Sequence, residues 1–548
     1  MASLFQGIAT VVRVAIRVGV ASCCRWTSND DVTQDLLPDK ADSIGGTREF
    51  FIGLQSKARA GDTQSMFFLA MDYRPGGALR TDLVKAAKWM GKAAQLGDAV
   101  AQAIFAYMYW AGEGVPQNYT EAVRWYHASA LQGNSTAAHE LALLYDAGRG
   151  VQQDHKQAAY WNVKAALAGN TAAQNALGFR LMRGEGIEKD DHAAKWWFEK
   201  AAEQGDAEAQ YNLGICHDKG QGVPQNEVEA FAWYRKAAEN GHMSAQWNLG
   251  LSYARGQGVD QDYGQAAVWF RKAAEQGHSD AQANLGVLYH NGWGLPQNEI
   301  EAMTWTRRAA EQGSVDAQFK LGSLYNDGHG KQQDYAQAAA WFRRAADQGH
   351  AGAQVMLGAL CAHAHGVPLD HAQAASWFRK AAEQGNALAQ FLLGSNYNNG
   401  QGVPQDYVQA AHWLRKSSEQ GNADAEGLLG WLYYKGQGVA QDYLEAAAWL
   451  RKAGDQGNAL AQGLLGELYE KGQGVKQSYA DAYFWWDLSV SGLGEAVPHE
   501  VVESRDRVAE KLTPEGLKKA QKRVAKWRTE HPTDSCNVNP LSPSAGAR

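Results

Sequence analysis

Twelve tryptophans stand 36 residues apart without a slip, from Trp89 and Trp125 through Trp269 and Trp305 to Trp449 and Trp485. A period this strict permits few folds. A unit of that length cannot bury its own apolar face, so neighbouring units must stack into one continuous core. The 548-residue length therefore does not divide into three or four separate domains, as length alone would suggest.

Three residues before each tryptophan is an alanine, from Ala86 to Ala482, and small residues usually follow four and five places after it. On a helix these positions form one stripe, where a large indole alternates with side chains small enough to admit a neighbouring helix. Seven residues before each tryptophan stands Asp, Asn or Ser, as in Asp82, Asn118 and Ser478. Each can accept a hydrogen bond from an N–H of the first turn. Eight residues after all but the last comes glycine, such as Gly277 and Gly385, suited to the left-handed conformation that stops a helix. This segment is helix B.

A second helix, helix A, reads DAEAQYNLGICHDKG from Asp206, with an apolar stripe of Ala209, Leu213, Gly214 and position 217, which is tyrosine in most other copies. A glycine-rich loop such as GQGVPQ, with proline at 116, 224, 296, 368 and 404, turns the chain into the next helix B. The pattern predicts an all-α, right-handed solenoid of about twelve 36-residue helix–turn–helix repeats. Every recurrent residue caps, turns or packs a helix.

The signature AQ..LG..Y..G.GV.QDY..A..WFRKAAEQG resembles the Sel-one-like repeats, relatives of the tetratricopeptide repeats, over residues 47 to 492. The ending AEKLTPEGLKKAQKRVAKW is similar to the helix that closes many bacterial members. The expected organisation is an N-terminal segment at 1–46, a solenoid of a partial cap plus twelve repeats at 47–492, a C-terminal helical cap at 493–531 and a disordered tail at 532–548. The copy from Gly61 departs from the pattern, with Pro75 where its first helix should end, and reads as an N-terminal cap. The resemblance implies a non-enzymatic protein-binding scaffold, an adaptor among bacterial envelope, regulatory or host-contacting proteins. It also brings in cysteine-rich members credited with binding or hydrolysing β-lactams, but their regular cysteine pairs are missing here. A structural spacer without a ligand is the other alternative.

The start, MASLFQGIATVVRVAIRVGVASCCRW, is apolar, with Arg13 and Arg17 inside the run and no charge ahead of it. Each arginine would cost about 2.5 to 3.5 kcal/mol at a bilayer centre, so no transmembrane span is expected. VASC at Val20–Cys23 resembles a lipoprotein cleavage box. Export, as a periplasmic, lipoprotein or secreted chain, and a cytoplasmic protein with a disordered or misassigned start both fit. The five cysteines suggest no disulfide framework, and the net charge of −7 gives no reason to expect nucleic acid.

No GxxxxGK[ST], HExxH, SxxK or GxSxG pattern occurs, so no catalytic residue, cofactor or metal is assigned. The loop GQGVPQ follows a helix and lacks the third glycine of a phosphate-binding loop. In the ninth copy, CAHAHGVPLDH brings Cys361, His363, His365 and His371 close in sequence, with a spacing that matches no standard zinc site. Cys361 is expected to fill the core slot of the absent tyrosine. The basic C-terminal residues, including Lys511, Lys518, Arg523 and Arg528, read as the wet side of a capping helix.

The candidate binding residues lie on helix A, opposite its apolar stripe. Aromatics recur there in three slots: Tyr211, Trp247, Phe319 and Phe391 in one, Phe179 and Trp431 in another, Trp110 and Tyr434 in a third. Aromatics mixed with charges are what recognition surfaces use. The related tetratricopeptide fold turns this face to its inner groove, which implies a peptide or protein ligand held in a concave groove by a monomer. Packing between successive A helices is the competing reading of the same residues.

Overall fold

The computed structural model describes residues 47–328, 333–494 and 497–531. The segment 1–46 and the tail 532–548, with the export and disorder readings attached to them, lie outside the described residues. Among the described residues there are 27 helices and no strand. None of these helices is long and apolar enough to cross a membrane. The fold is a solenoid of helix–turn–helix repeats, and the chain divides into two compact units at Asp262 and Tyr263.

In the first unit, helix Thr47–Arg59 precedes the first pair, Thr63–Asp72 and Leu83–Gln95. Helix A of this pair stops early, ahead of Pro75, whose ring disfavours helical geometry in the residue before it. Later pairs are regular, as in Ala207–Lys219 with Glu227–Glu239. The expected caps form on helix B: Asn226 accepts from the Val228 and Glu229 N–H groups at 3.1 and 3.2 Å. Helix A is capped in the same way, a feature the sequence reading had not assigned. Asp206 accepts from Ala209 N–H at 2.7 Å, and His242 does so through Nδ1, from Ala245 N–H at 3.1 Å. That nitrogen must carry a lone pair, so the capping imidazole is unprotonated there.

The tryptophans do not own the centre of the core. The largest fully buried side chains include Phe198 in the first unit and Phe270 and Phe342 in the second, each one residue after a tryptophan. A helix advances about 100° per residue, so only one of two adjacent side chains can point straight at the partner helix. The indole lies nearer the edge. Six of the twelve are buried, from Trp485 at 2% to Trp89 and Trp341 at 8% exposure, while Trp233 and Trp269 are half-buried, with a lysine three residues on over each ring, Lys236 at 3.9 Å and Lys272 at 3.8 Å from the ring centre. The helix-A stripe glycine makes room for the true core ring: a Cβ on Gly178 would lie 2.5 Å from Phe198, and one on Gly322 2.6 Å from Phe342. The loop glycine has a parallel reason. At Gly402, with φ +69°, a Cβ would stand 1.9 Å from the His371 carbonyl oxygen.

A row of buried amides joins the helices of each copy. Gln210 donates to the Ala202 carbonyl at 3.3 Å and accepts from Asn240 at 2.9 Å. In the second unit Gln354 donates to Ala346 at 3.1 Å and accepts from Gln384 at 2.8 Å. Buried polar groups persist in a core only when paired in this way.

The second unit starts with helix B Tyr263–Glu275 and ends with Tyr479–Leu493, His499–Glu510 and Pro514–Glu530. The last two cover the final repeat. Val508 and Val524 are buried, Arg507 forks onto Glu470 through two bonds of 3.0 Å, and Arg528 reaches Asp487 at 2.9 Å. The basic character of the cap thus has partners in the acids of the last repeat.

Candidate functional site

All eight candidate aromatics are half-buried, while the stripe behind them, for example Ala209, Leu213 and Leu429, is buried. In the first unit, Trp110 stacks on Tyr107 with ring centres 5.8 Å apart. Arg74 lies over Tyr107 and pairs with Glu113 at 2.6 Å. Phe179 meets Phe198 edge-on at 5.5 Å, with the Arg183 guanidinium 5.9 Å from its ring. Tyr211 stacks on His242 at 4.5 Å, and His242 Nε2 meets Glu208 at 3.0 Å. Trp247 sits at the equivalent position one copy on, on Met243–Arg255.

In the second unit, Phe319 repeats the arrangement of Tyr211, stacking on His350 at 4.5 Å. Phe391 and Trp431 pack against a cluster that includes Leu414 and Leu429. Tyr434 donates its hydroxyl to Glu467 at 2.9 Å, with Lys435 Nζ 5.2 Å from its ring. Tyr211 and Phe319 each pack on the histidine that caps the next helix A and keep part of their surface in water. The arrangement offers aromatic faces flanked by carboxylates and cations. Such a surface can hold apolar side chains and orient polar ones.

The sequence reading missed a polar cluster spanning copies two to four. Burial pushes the Glu140 carboxyl up to about 7 and pushes the Tyr126 phenol up as well. His139 meets Asn162 at 3.0 Å and is lowered by burial. Arg180, in a slot that most copies fill with Leu or Cys, is buried and paired to Asp146. The signal was available as a basic residue in a slot that is mostly apolar, with Asp72, Ser252 and Asn396 as its other polar members.

Around Cys361 the thiol is fully buried and donates to Gln373 at 3.2 Å, while His363 and His365 are exposed. Among the described residues no group of three His, Cys, Asp or Glu is placed to hold a metal ion.

The Sel1 repeat family model matches twelve consecutive stretches, from 63–98 and 99–134 to 423–458 and 459–491. The atypical copy at 63–98 is matched as the first of the twelve. Among solved structures, an Escherichia coli protein described as c5321, a protective antigen present in uropathogenic strains displaying an SLR fold, is 32% identical. That match covers 91% of this chain and 98% of the other at a TM-score of 0.58. A Sel1 repeat protein from Oxalobacter formigenes is 30% identical, covering 68% of this chain and 97% of its own, with a TM-score of 0.44. No curated protein matches.

Proposed function

Since the chain belongs to the Sel1 repeat family, we propose that it is a non-enzymatic scaffold that binds a peptide or protein segment along the helix-A face. Proteins with such repeats are generally protein-interaction scaffolds. One observation carries the finer reading: the aromatics of that face recur in three slots, each partly open to solvent, in front of a buried stripe that already accounts for folding. Aromatic anchors lose little entropy on binding and dominate interface energetics.

The test uses two variants within the first unit and a partner recovered by crosslinking in the native cell. Tyr211→Ala with Trp247→Ala should weaken that partner by about 2 kcal/mol, with a small change in melting temperature. Ala230→Leu, in a buried small slot three residues before Trp233, should lower the melting temperature instead, since overpacking costs about 1 to 3 kcal/mol. If the aromatic pair unfolds like Ala230→Leu while its folded fraction binds normally, those rings serve only the core and the face is a spacer.

A further inference from the structure

The outward side of helix B carries a second, unrelated surface. In the last repeat that side is covered by the chain itself: helix Pro514–Glu530 lies on helix Tyr479–Leu493. The contact runs along Asp481, Phe484, Asp487 and Ser491, spaced on one helical face. Arg523 pairs with Asp481 and lies 4.0 Å over the Phe484 ring. Arg528 bonds Asp487 and Ser491, while Val524 and Trp527 join the cluster around Phe484. Phe484 is left 3% exposed.

Phe484 stands one residue before its tryptophan, and in the 36-residue register its counterparts in copies three and four are Tyr160 and Trp196. Those rings are bare, at 51% and 47% exposure. Around Tyr160 the face continues with Val163, which half-packs against the core, and exposed Leu167, so helix His155–Leu167 shows Tyr160 and Leu167 to water on either side of Val163, at i, i+3 and i+7. A helix that already buries its other face in the core has no folding reason for this.

We propose that Tyr160, Val163, Leu167 and Trp196 form a docking surface for an acidic amphipathic helix of a partner protein. The last repeat shows that this side of helix B seats a helix. Charge selects the occupant. Lys164 Nζ lies 5.6 Å from the Tyr160 ring centre, and Lys200, which also pairs with Glu203 at 2.9 Å, lies 5.7 Å from that of Trp196. Among the described residues, neither Lys156 nor Lys164 has a carboxylate at ion-pair distance. The basic capping helix of a second copy does not fit, because the carboxylates it needs are replaced or already paired. Asp481 becomes Gln157 and Ala193, and Asp487 becomes Val163 and Glu199, the latter held by Lys195 at 2.5 Å. This surface is distinct from the helix-A face and does not depend on it.

The experiment uses the full chain and two labelled synthetic helices with the same leucine stripe, one flanked by glutamates and one by lysines, read by fluorescence anisotropy. The acidic helix should bind, and the basic one should bind at least tenfold more weakly. Tyr160→Ser with Trp196→Ser should weaken the acidic helix tenfold or more, with the helical circular-dichroism signal unchanged. Tyr211→Ala with Trp247→Ala, on the other face, should leave it bound as before. The proposal fails if the acidic helix does not bind at about 100 μM, if both helices bind alike, or if only the helix-A variant loses binding. It also fails if light scattering shows a dimer that the Tyr160/Trp196 variant abolishes, for the occupant is then a second copy.

Discussion

Glu426 occupies the place where neighbouring copies put a buried glutamine, and it is buried as they are. It still accepts from Gln456 at 2.8 Å, but an ionised carboxylate has no proton to give the Ser418 carbonyl, as Gln462 gives the Gly454 carbonyl at 2.9 Å one copy later. Burial raises the Glu426 carboxyl, so the folded chain holds its proton to a higher pH than the unfolded chain does. Its contribution is therefore complete below the unfolded pKa and is lost as pH rises through the folded one. Glu426→Gln should raise stability by about 1 kcal/mol near neutral pH, and by less in acid, in urea melts at several pH values. A gain that does not depend on pH would contradict this account. Ala364 poses a similar local problem: at φ +59° it is the one non-glycine residue with positive φ among the described residues, at a helix end where other copies carry glycine. Ala364→Gly should stabilise by about 1 kcal/mol, visible as a higher melting temperature. No change would mean that the loop relaxes around the alanine at no cost.

At the scale of the element, helix identity, caps and stop signals were legible because each depends on a local rule that repeats every 36 residues. The centre of helix B was not. Recurrence points to the tryptophan, and six of the twelve are buried, yet Phe198, Phe270 and Phe342 are sealed more completely, in a slot that varies among Phe, Tyr, Leu, Met, Thr, Asn and Trp. A slot may vary and still be core when its partner is small: Ala70, Ala106 and Ala142 in the first three copies and glycine from Gly178 onward. Gly322→Ala should therefore lower stability by about 1 to 3 kcal/mol by pressing on Phe342, and a thermal melt unchanged from the parent would show that the ring has room to move. The candidate site was legible in the same partial way. The slots holding Tyr211, Phe319 and Tyr434 could be read from the period. That Tyr211 and Phe319 stack on histidine caps could not, because His242 and His350 lie in the following copy and take a role usually given to Asp or Asn.

For the molecule as a whole, a stack in which each copy touches mainly its neighbours should tolerate the loss of a complete period, since stability is then close to a sum over copies and their interfaces. The second unit offers a clean excision. Removing residues 423–458 joins Asn422 to Ala459, the same Asn–Ala step that Asn458 and Ala459 make in the intact chain. Asn458 caps helix Ala459–Lys471 at 2.9 Å through the Ala461 N–H, and Asn422 serves helix Ala423–Lys435 at the same distance through Ala425, so the new junction keeps its cap. The excision also places Gln462 where Glu426 had been, restoring the amide that donates to the preceding helix B. The shortened chain should keep its helical circular-dichroism signal per residue and melt within a few degrees of the parent. Its urea m-value should be smaller, because less surface is exposed on unfolding. Loss of the helical signal would mean that this copy holds the second unit together through contacts reaching beyond its neighbours, and the additive stack would have to be abandoned.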